Sequence, residues 1–359
     1  MISIYTDNFF HDLDKNKSSA FFDIDHTIIF PKKGRFYHSK HNFDWYIRKN
    51  AKEVLKKISE KYTIFFITNQ LKYDSIVEQR IKDMLSLLEI EAIVLISTER
   101  DIYRKPGIGV LDYIDDTFGN IILKIDDKSF HTGDAGGRVG GRTGGSSSDF
   151  SDDDFWFAQH MEINFFTPEE IFDDQINPFL PHKKNIIESP PIDYELMNKI
   201  HRIIKQNDGV MIMGLPGSGK SYLRKWIESE FNNSSLSDRR VVVFNQDENG
   251  AFAKPTKYNE NDFFILDNIN LTEHGRNNYP SEIIGKKIAK IYIDLDPKDC
   301  IRGIKYRVAT GGSYIPDVTI YSANKYKDIP EGDFEGTYLI ITKRPVLMPD
   351  FPSYLSYSN

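Results

Sequence analysis

The stretch VMIMGLPGSGKSYL, residues 210–223, decides the fold of the second half of the chain. Its leading apolar residues predict a buried strand, and the residues from Gly219 onward have the pattern of a helix. Between them, GLPGSGKS matches G-x-x-x-x-G-K-[ST] at every specified position. Glycines allow such a loop to surround a phosphate with backbone N–H groups, and the helix start faces the same anion. A glycine turn that matches by chance is the alternative, and the flanking strand and helix argue against it.

Strands and helices alternate on both sides of this stretch. Alternation of this kind predicts an α/β fold with two parallel sheets, each with helices on both faces. The predicted strands are 20–24, 62–68, 92–97, 210–213, 241–244, 263–266 and 290–295. The predicted helices are 51–61, 75–89, 193–206 and one that begins at 219.

The domain boundary is predicted in the stretch 174–191, which contains four prolines and has no clear period. We predict one domain at 1–180, a linker at 181–191 and a second domain at 192–359. The glycine-rich run 133–145 has the composition of a flexible linker as well. The sequence FWFAQHMEINFFTPEEIF that follows it predicts continued folded structure instead.

Reactive side chains follow successive strands of the first half. Adjacent carboxylates repel unless a cation joins them, so Asp23 and Asp25 after the first strand predict a metal site. A carboxylate beside Mg²⁺ can attack phosphorus, and a second one can protonate the leaving alkoxide. Ligands bind at the carboxyl edge of such sheets. Taken alone, D-x-D-x-T also fits an ordinary turn, but further candidates follow the later strands: Thr68, Lys105 and Asp134.

This arrangement resembles the haloacid-dehalogenase phosphatase superfamily. The resemblance implies that Asp23 is the nucleophile and that Asp25 is the general acid and base. One departure is His26, where a glycine is usual; because histidine tolerates a positive φ in a turn, we expect a modest cost. The residues that the resemblance assigns to phosphate are Thr27, Thr68, Asn69, Lys105 and Arg138. Those assigned to Mg²⁺ are Asp23, Asp25 through its carbonyl, and Asp134.

The second half carries groups suited to phosphoryl transfer onto a hydroxyl. Lys220 would neutralise the β- and γ-phosphates of ATP, and Ser221 would hold Mg²⁺. A carboxylate must accept the hydroxyl proton, and cations must meet the developing phosphate charge. Strand-end aspartates also cap helices and form turns, so each carboxylate alone is a weak candidate. The candidates are Asp247, Asp267, Asn268, Arg302, Lys305 and Arg307.

The order of the two halves resembles the eukaryotic-type polynucleotide kinase 3′-phosphatases. The resemblance spans about residues 18–345 and includes the Trp45 segment, Arg138 and the TPEE run from Thr167. It implies a haloacid-dehalogenase-like phosphatase domain with a Rossmann-type parallel sheet, followed by a P-loop kinase domain. The segments that carry it are FFDIDHTII, FDWYI, FFITNQ, YRKPG, GDAGGR, DFSDDDFWFAQHMEINFFTPEEIF, GLPGSGKS, NQD and DNIN-LTEHGR.

The same resemblance assigns the kinase residues. Asp247 would be the general base for a 5′-hydroxyl, and Asp267, Asn268 and Arg276 would line the site. Gln246 stands where the family usually has arginine, so one contact to a phosphate or to the substrate is left unassigned. Asp149 and Asp154 match acidic positions of the phosphatase pattern. The residues assigned to ATP are Gly214, Gly217, Ser218, Gly219, Lys220, Ser221, Arg302 and Arg307.

The resulting hypothesis is an enzyme of strand-break repair that removes 3′-phosphates and phosphorylates 5′-hydroxyls with ATP. Its cofactor would be Mg²⁺, and its substrates would be DNA ends, with RNA as an alternative. A DNA ligase would act next on its products. Two alternatives are a small-molecule phosphatase fused to a nucleoside or sugar kinase, and an end-binding module without chemistry. The retained reactive residues argue against the second.

Composition limits the protein class. The 359 residues carry a net charge of -7, which argues against a uniformly basic nucleic-acid-coating protein. The acidity is one block, because residues 111–180 carry 15 Asp+Glu and 4 Lys+Arg, whereas Lys32–Lys61 carries ten basic and three acidic residues. A lone Cys300, no membrane-length apolar run and no signal peptide predict an intracellular protein, nuclear or cytoplasmic. The sequence does not reveal the oligomeric state, and a monomer is the default expectation. About 18 residues precede the first motif, so the phosphopeptide-binding domain of animal relatives is not expected.

Overall fold

The computed structural model describes residues 1–6, 16–32, 44–119, 123–138, 149–173, 190–233, 238–245, 258–280, 283, 285–329, 338–348 and 352. The chain divides into two compact units. The first is made of residues 1–187 with 308–312 and the terminal residue, and the second of residues 188–307 with 313–358. The division at 187/188 falls inside the proline-containing stretch.

Strands and helices alternate through most of the first unit. They are β1 (Ile2–Tyr5), β2 (Ser18–Phe22), β3 (Ile29–Pro31), β4 (Trp45–Ile47), α1 (Ala51–Ser59), β5 (Tyr62–Asn69), α2 (Ser75–Leu88), β6 (Ala92–Ser97), α3 (Gly109–Phe118), β7 (Phe130–Thr132), α4 (Asp153–His160), β8 (Asn164–Phe166) and α5 (Pro168–Phe172).

The main sheet of the first unit has the order β1-β6-β5-β2-β7-β8. Its central strands are buried on both faces, which explains their continuous apolar sequences. Ala20 and Phe22 of β2 belong to a core cluster with residues of α1 and α2, and Phe21 belongs to a second cluster with residues of α3 and α4. The predicted α/β fold with helices on both faces is therefore confirmed, with β2 near the middle of the sheet.

Two features of the first unit were not predicted. Strand β1 pairs antiparallel with β6 and forms one edge of an otherwise parallel sheet. The short strands β3 and β4 form a separate antiparallel pair immediately after the Asp23–Asp25 segment. This pair, which we call the β3–β4 hairpin, lies beside the carboxyl edge of the sheet because an isolated bridge joins Asp25 to Ile29.

The second unit is a five-stranded parallel sheet of order β10-β11-β9-β12-β13, with helices between its strands. Its helix α6 begins where predicted, because the Asp193 carboxylate caps it by accepting the Leu196 N–H at 2.8 Å. The elements are α6 (Tyr194–Gln206), β9 (Gly209–Gly214), α7 (Lys220–Asn233), β10 (Val241–Phe244), β11 (Phe263–Asp267), α8 (Glu273–Asn277), β12 (Ile288–Ile293), α9 (Pro297–Ala309), α10 (Asp317–Lys325) and β13 (Tyr338–Ile341).

The motif at 214–221 therefore joins the central strand β9 to α7, as the sequence predicts. In the described part of the chain, no helix has the length and apolarity needed to cross a bilayer.

Candidate active sites

Three carboxylates converge at the carboxyl edge of the first sheet. Asp23 follows β2, Asp134 follows β7, and Asp154 lies in the first turn of α4. One oxygen from each lies within 4.8 Å of the other two. Asp23 and Asp154 are buried, and Asp134 is half-buried. We call these three residues the carboxylate cluster.

Lys105 lies inside the carboxylate cluster. Its Nζ is 2.6 Å from Oδ1 of Asp23 and 2.6 Å from Oδ1 of Asp154, and its side chain is buried. Asp154 is held further by His131 Nε2 at 3.0 Å and by the backbone N–H of Ala135 at 3.0 Å. Asp154 thus holds Lys105 against Asp23.

Burial and charge act in opposite directions on these groups. Burial raises the pKa of Asp23 well above its usual value; Lys105 opposes the rise, and the nearby carboxylates add to it. For Asp154, burial favours a higher pKa, but Lys105 and His131 outweigh it and the pKa falls below its usual value. Burial also favours a lower pKa for Lys105, but both carboxylates prevail and raise it. Asp154 and Lys105 are therefore both charged at neutral pH.

The donor set of the cluster suits a hard divalent cation. Asp23, Asp134 and Asp154 offer only carboxylate oxygens, which are the ligands that Mg²⁺ prefers in proteins. A cation bound there would also relieve the mutual repulsion that raises the pKa of Asp23. The residues present therefore fit the Mg²⁺ that the sequence resemblance implies: Asp23 and Asp134 belong to the implied ligand set, and Asp154 is an additional carboxylate at the same point.

Four of the predicted phosphate residues lie at the ends of strands of the first sheet or follow them. Thr27 donates from Oγ1 to Asp23 Oδ2 at 3.5 Å, and Thr68 lies buried at the end of β5. Asn69 brackets the backbone of Lys105, accepting its N–H and donating to its carbonyl, each at 3.0 Å. Asn69 therefore positions the lysine. The structure therefore places Thr27 and Lys105 in contact with Asp23, and Asn69 in contact with the backbone of Lys105.

Gln70 was missed by the sequence reasoning. Its Nε2 donates to Asp25 Oδ2 at 2.6 Å and to Thr68 Oγ1 at 2.9 Å, so it links two of the predicted residues. The final residue of FFITNQ was the available signal. His26, by contrast, has the predicted unusual backbone, with φ of 60° in the turn after Asp25.

Arg138 belongs to an ionic network at the side of the cluster. Its guanidinium lies 2.8 Å from Asp149 and 2.9 Å from Glu169. Glu169 is also 3.5 Å from Arg48, which pairs with Asp173 at 2.7 Å. Asp149, one of the two acidic positions matched by resemblance, therefore orients Arg138, whereas Asp154 belongs to the carboxylate cluster.

Arg48 connects this network to the segment Asp23–Thr27 and was not predicted. Its Nε donates to the carbonyl of Thr27 at 2.9 Å, and its Nη2 donates to that of His26 at 3.4 Å. The arginine is buried and stands just after β4. The turn that carries Asp25 is thus held by a side chain that arrives from the hairpin.

The glycine-rich loop 214–221 of the second unit has the expected backbone. Gly214, Gly217 and Gly219 have φ of 155°, 80° and 101°, values that favour glycine. Lys220 Nζ donates to the carbonyls of Gly214 and Leu215 at 2.9 and 3.0 Å. Ser218 is fully buried behind the loop, and Ser221 is exposed on the first turn of α7.

Asp267 ends β11 beside the loop and is buried. Arg224 Nε lies 3.3 Å from its carboxylate, and Asn245 donates to the same oxygen at 3.0 Å. Asn268, the next residue, donates to Tyr279 at 2.8 Å. Arg224 and Asn245 were not predicted as site residues, and their contacts show that Asp267 is held in a fixed orientation.

The other predicted kinase residues are more scattered. Arg276 pairs with Asp328 at 2.9 Å, Arg302 lies 3.7 Å from Asp299 on its own helix, and Arg307 is exposed on α9. Asp247 and Gln246 lie outside the described residues. An unpredicted arginine, Arg344, follows β13 and donates to the carbonyl of Gly217 at 2.9 Å.

Comparisons with known proteins agree with this layout. A family model described as polynucleotide kinase 3 phosphatase matches residues 18–172. A putative bifunctional polynucleotide phosphatase/kinase of Acanthamoeba polyphaga mimivirus is 28% identical over 290 residues, which cover 70% of this chain and 65% of that relative. The chain thus aligns with slightly less than two thirds of the viral relative.

Two further relatives match shorter parts. An uncharacterized 20.8 kDa protein of Autographa californica nuclear polyhedrosis virus is 31% identical over 167 residues, 45% of this chain and 88% of that protein. A polynucleotide 3′-phosphatase of Arabidopsis thaliana is 43% identical over 72 residues, 20% of this chain and 9% of that protein.

Proposed function

Because this chain belongs to the polynucleotide kinase 3 phosphatase family, we propose that it heals strand ends of nucleic acids. The first unit would remove 3′-phosphates, and the second would phosphorylate 5′-hydroxyls with ATP. The observation that carries the proposal is the buried Asp23–Lys105–Asp154 arrangement at the carboxyl edge of the first sheet. Charge-compensated carboxylates at this place suit attack on a phosphate group.

In the phosphatase reaction, an Asp23 oxygen attacks phosphorus while the bond to the 3′-oxygen breaks. Asp25 gives its proton to the leaving 3′-oxygen and then removes a proton from the water that hydrolyses the aspartyl-phosphate. Gln70 donates to Oδ2 of Asp25, so the transferred proton is carried on Oδ1. Lys105, held by Asp154, keeps positive charge beside the attacking oxygen. Mg²⁺ held by Asp23, the Asp25 carbonyl and Asp134 would offset the charge of the phosphate.

In the kinase reaction, the loop 214–221 would hold the ATP phosphates through backbone N–H groups. Lys220 would leave the loop carbonyls for the β- and γ-phosphates, and Ser221 would bind Mg²⁺. Asp247 would take the proton of the 5′-hydroxyl as the hydroxyl oxygen attacks the γ-phosphorus, while the bond from that phosphorus to the β–γ bridging oxygen breaks and ADP leaves. Asp267, fixed by Arg224 and Asn245, would line the site. The products of both reactions, a 3′-hydroxyl and a 5′-phosphate, are the ends that a ligase joins.

Two single-site variants test whether each unit carries one of the two activities. Asp23→Asn is expected to abolish phosphate release from a 3′-phosphorylated oligonucleotide and to leave 5′-kinase activity unchanged. Lys220→Met is expected to do the reverse. Circular dichroism melting of each variant shows whether it is folded. If both folded variants lose both activities, the two-site assignment is wrong.

The substrate class is tested with the wild-type enzyme. End healing predicts a higher kcat/KM on oligonucleotides than on mononucleotides, together with a loss of affinity as salt rises. Equal turnover of mononucleotides, without salt dependence, would instead indicate a small-molecule phosphatase and kinase. Parallel assays with DNA and RNA oligonucleotides assign the preferred polymer.

A further inference from the structure

The β3–β4 hairpin carries aromatic rings beside the catalytic turn. Phe30 and Tyr46 are cross-strand partners, and their rings stack with centroids 5.5 Å apart and planes inclined by 19°. The Tyr46 side chain is 51% exposed, although it is a large ring. The His26 ring lies 6.0 Å from Phe30 in an edge-to-face contact. Rings therefore run outward from the residue next to Asp25 to an exposed tyrosine.

This row of rings is rigidly joined to the catalytic segment. The Arg48 guanidinium lies 4.9 Å from the centre of the Phe30 ring, and its Nε donates to the Thr27 carbonyl. A cation over an aromatic face contributes about 0.5–2 kcal/mol, depending on its desolvation. The bridge between Asp25 and Ile29 fixes the start of β3 as well. The hairpin that carries the exposed Tyr46 ring is consequently attached to the turn that follows Asp25.

A cavity of about 490 Å³ lies beside the hairpin and the start of α1. This volume is within the ~300–1,000 Å³ range of ordinary ligand pockets. Its charged lining residues are Lys32, Arg48, Lys52 and Glu53. Arg48 pairs with Asp173, and Lys52 pairs with Glu89, so much of the positive charge is already compensated. The surface thus offers an exposed ring and a cavity with little net charge, which suits a base better than a phosphate.

We propose that Tyr46, supported by Phe30, is a stacking platform for a base of an unpaired 3′ end near the scissile phosphate. This inference rests on the proposed 3′-phosphatase activity and adds to it a residue that binds the strand next to the scissile phosphate. Every base has a flat face that can stack on an aromatic ring, and a single strand can present that face. In a duplex the faces are covered by neighbouring bases, so the platform favours single-stranded or frayed ends.

The experiment compares Tyr46→Ala with Tyr46→Phe and with Tyr321→Ala. Tyr321 is a matched control because it is 50% exposed and lies on α10. Stacking contributes an amount that corresponds to about 5- to 150-fold per base, so Tyr46→Ala is expected to lower kcat/KM on a 3′-phosphorylated oligothymidylate by that factor. The phenylalanine variant and the control are expected to stay within about twofold. Turnover of thymidine 3′-phosphate and 5′-kinase activity should be unchanged in all three.

A substrate change identifies the contacted base. Abasic nucleotides are placed in turn at the second, third and fourth positions from the 3′ end, because the first base is also present in the mononucleotide. At one of them the wild-type enzyme should lose the same factor as Tyr46→Ala, and the variant should lose little more on that substrate. Such non-additivity shows that the ring and the base act on each other.

Three results would overturn the stacking proposal while the phosphatase proposal stands. They are an unchanged kcat/KM in Tyr46→Ala, an equal loss on the mononucleotide and the oligonucleotide, or a change in sedimentation that marks the surface as a contact between two copies. If the wild-type enzyme releases no phosphate from any 3′-phosphorylated substrate, the proposed function itself fails.

Discussion

Replacement of Lys105 by methionine should destabilise the first unit strongly. Methionine is similar in length but removes the charge that lies 2.6 Å from both Asp23 and Asp154. Removing one partner of a buried ion pair costs about 3–5 kcal/mol, because the remaining charge is buried without compensation. Two carboxylates are left here, but Asp23 can take up a proton. We therefore expect the free energy of unfolding to fall by about 3–5 kcal/mol at pH 8 without divalent cations.

The sign of the pH dependence follows from the pKa of Asp23. Burial already raises that pKa and Lys105 opposes the rise, so the variant raises it further. Between the unfolded pKa and this raised folded pKa, the folded variant binds a proton that the unfolded chain releases. Its stability therefore falls as pH rises through that window. The loss caused by Lys105→Met should shrink at pH 5 and be largest at pH 8.

The assay is urea unfolding followed by tryptophan fluorescence in a Trp226→Phe background. The chain has three tryptophans, and the remaining two, Trp45 and Trp156, both lie in the first unit. Lys57→Met is the control, because Lys57 is exposed on α1 and such substitutions usually change stability by less than about 0.5 kcal/mol. The reasoning is refuted if the two variants are equally stable at pH 8, or if acidification increases the loss.

Four further outcomes are expected. His26→Gly should change the free energy of unfolding by at most about 1 kcal/mol. Glycine relieves the backbone strain at a φ of 60°, but it also gives the unfolded chain more freedom, and the two effects nearly cancel. A larger loss of stability in urea unfolding would show that the contact between the His26 and Phe30 rings contributes more than the backbone does. Gly303→Ala should cost the second unit about 1–3 kcal/mol, since the added Cβ would lie 2.1 Å from the Gly217 carbonyl oxygen; unfolding followed at Trp226 measures it. Arg344→Met removes a charged hydrogen bond to the same carbonyl, worth about 1.5–3 kcal/mol, and should raise the KM for ATP while phosphatase activity is kept. Chelation of divalent cations should abolish phosphate release, and Mg²⁺ should restore it; activity that survives chelation would contradict the metal assignment.

The sequence was sufficient to predict those elements and site residues whose pattern lies within one short segment. Strand β6 was predicted with its observed bounds, and the loop 214–221 lies between a strand and a helix as its glycines indicate. Asp23 and Thr68 could be placed together because each ends or directly follows a strand of one parallel sheet. Such predictions need only the periodicity of a segment and the rule that parallel strands share their carboxyl edge.

The supporting side chains could not be predicted because their partners are distant in sequence. Gln70 contacts Asp25 across 45 residues, and Arg344 contacts Gly217 across 127. The periodicity of a segment does not predict which buried polar groups form hydrogen bonds with each other. The antiparallel pairing of the edge strand β1 could not be predicted either. Its four residues contain a single apolar alternation, and such a short pattern fits a parallel and an antiparallel strand equally well.

The net charge of the chain does not describe the charges that surround a phosphate group at the carboxylate cluster. Glu169 and Asp149 belong to the acidic block, yet both are paired with Arg138. Lys105 is similarly compensated by two carboxylates, so it cannot alone offset a phosphate dianion as well. With Asp134 added, three carboxylates face one lysine, and the site without a further cation would repel its substrate. The geometry that would make Asp23 a compensated nucleophile in the proposed reaction is therefore also one in which we expect phosphate to bind only together with a divalent cation.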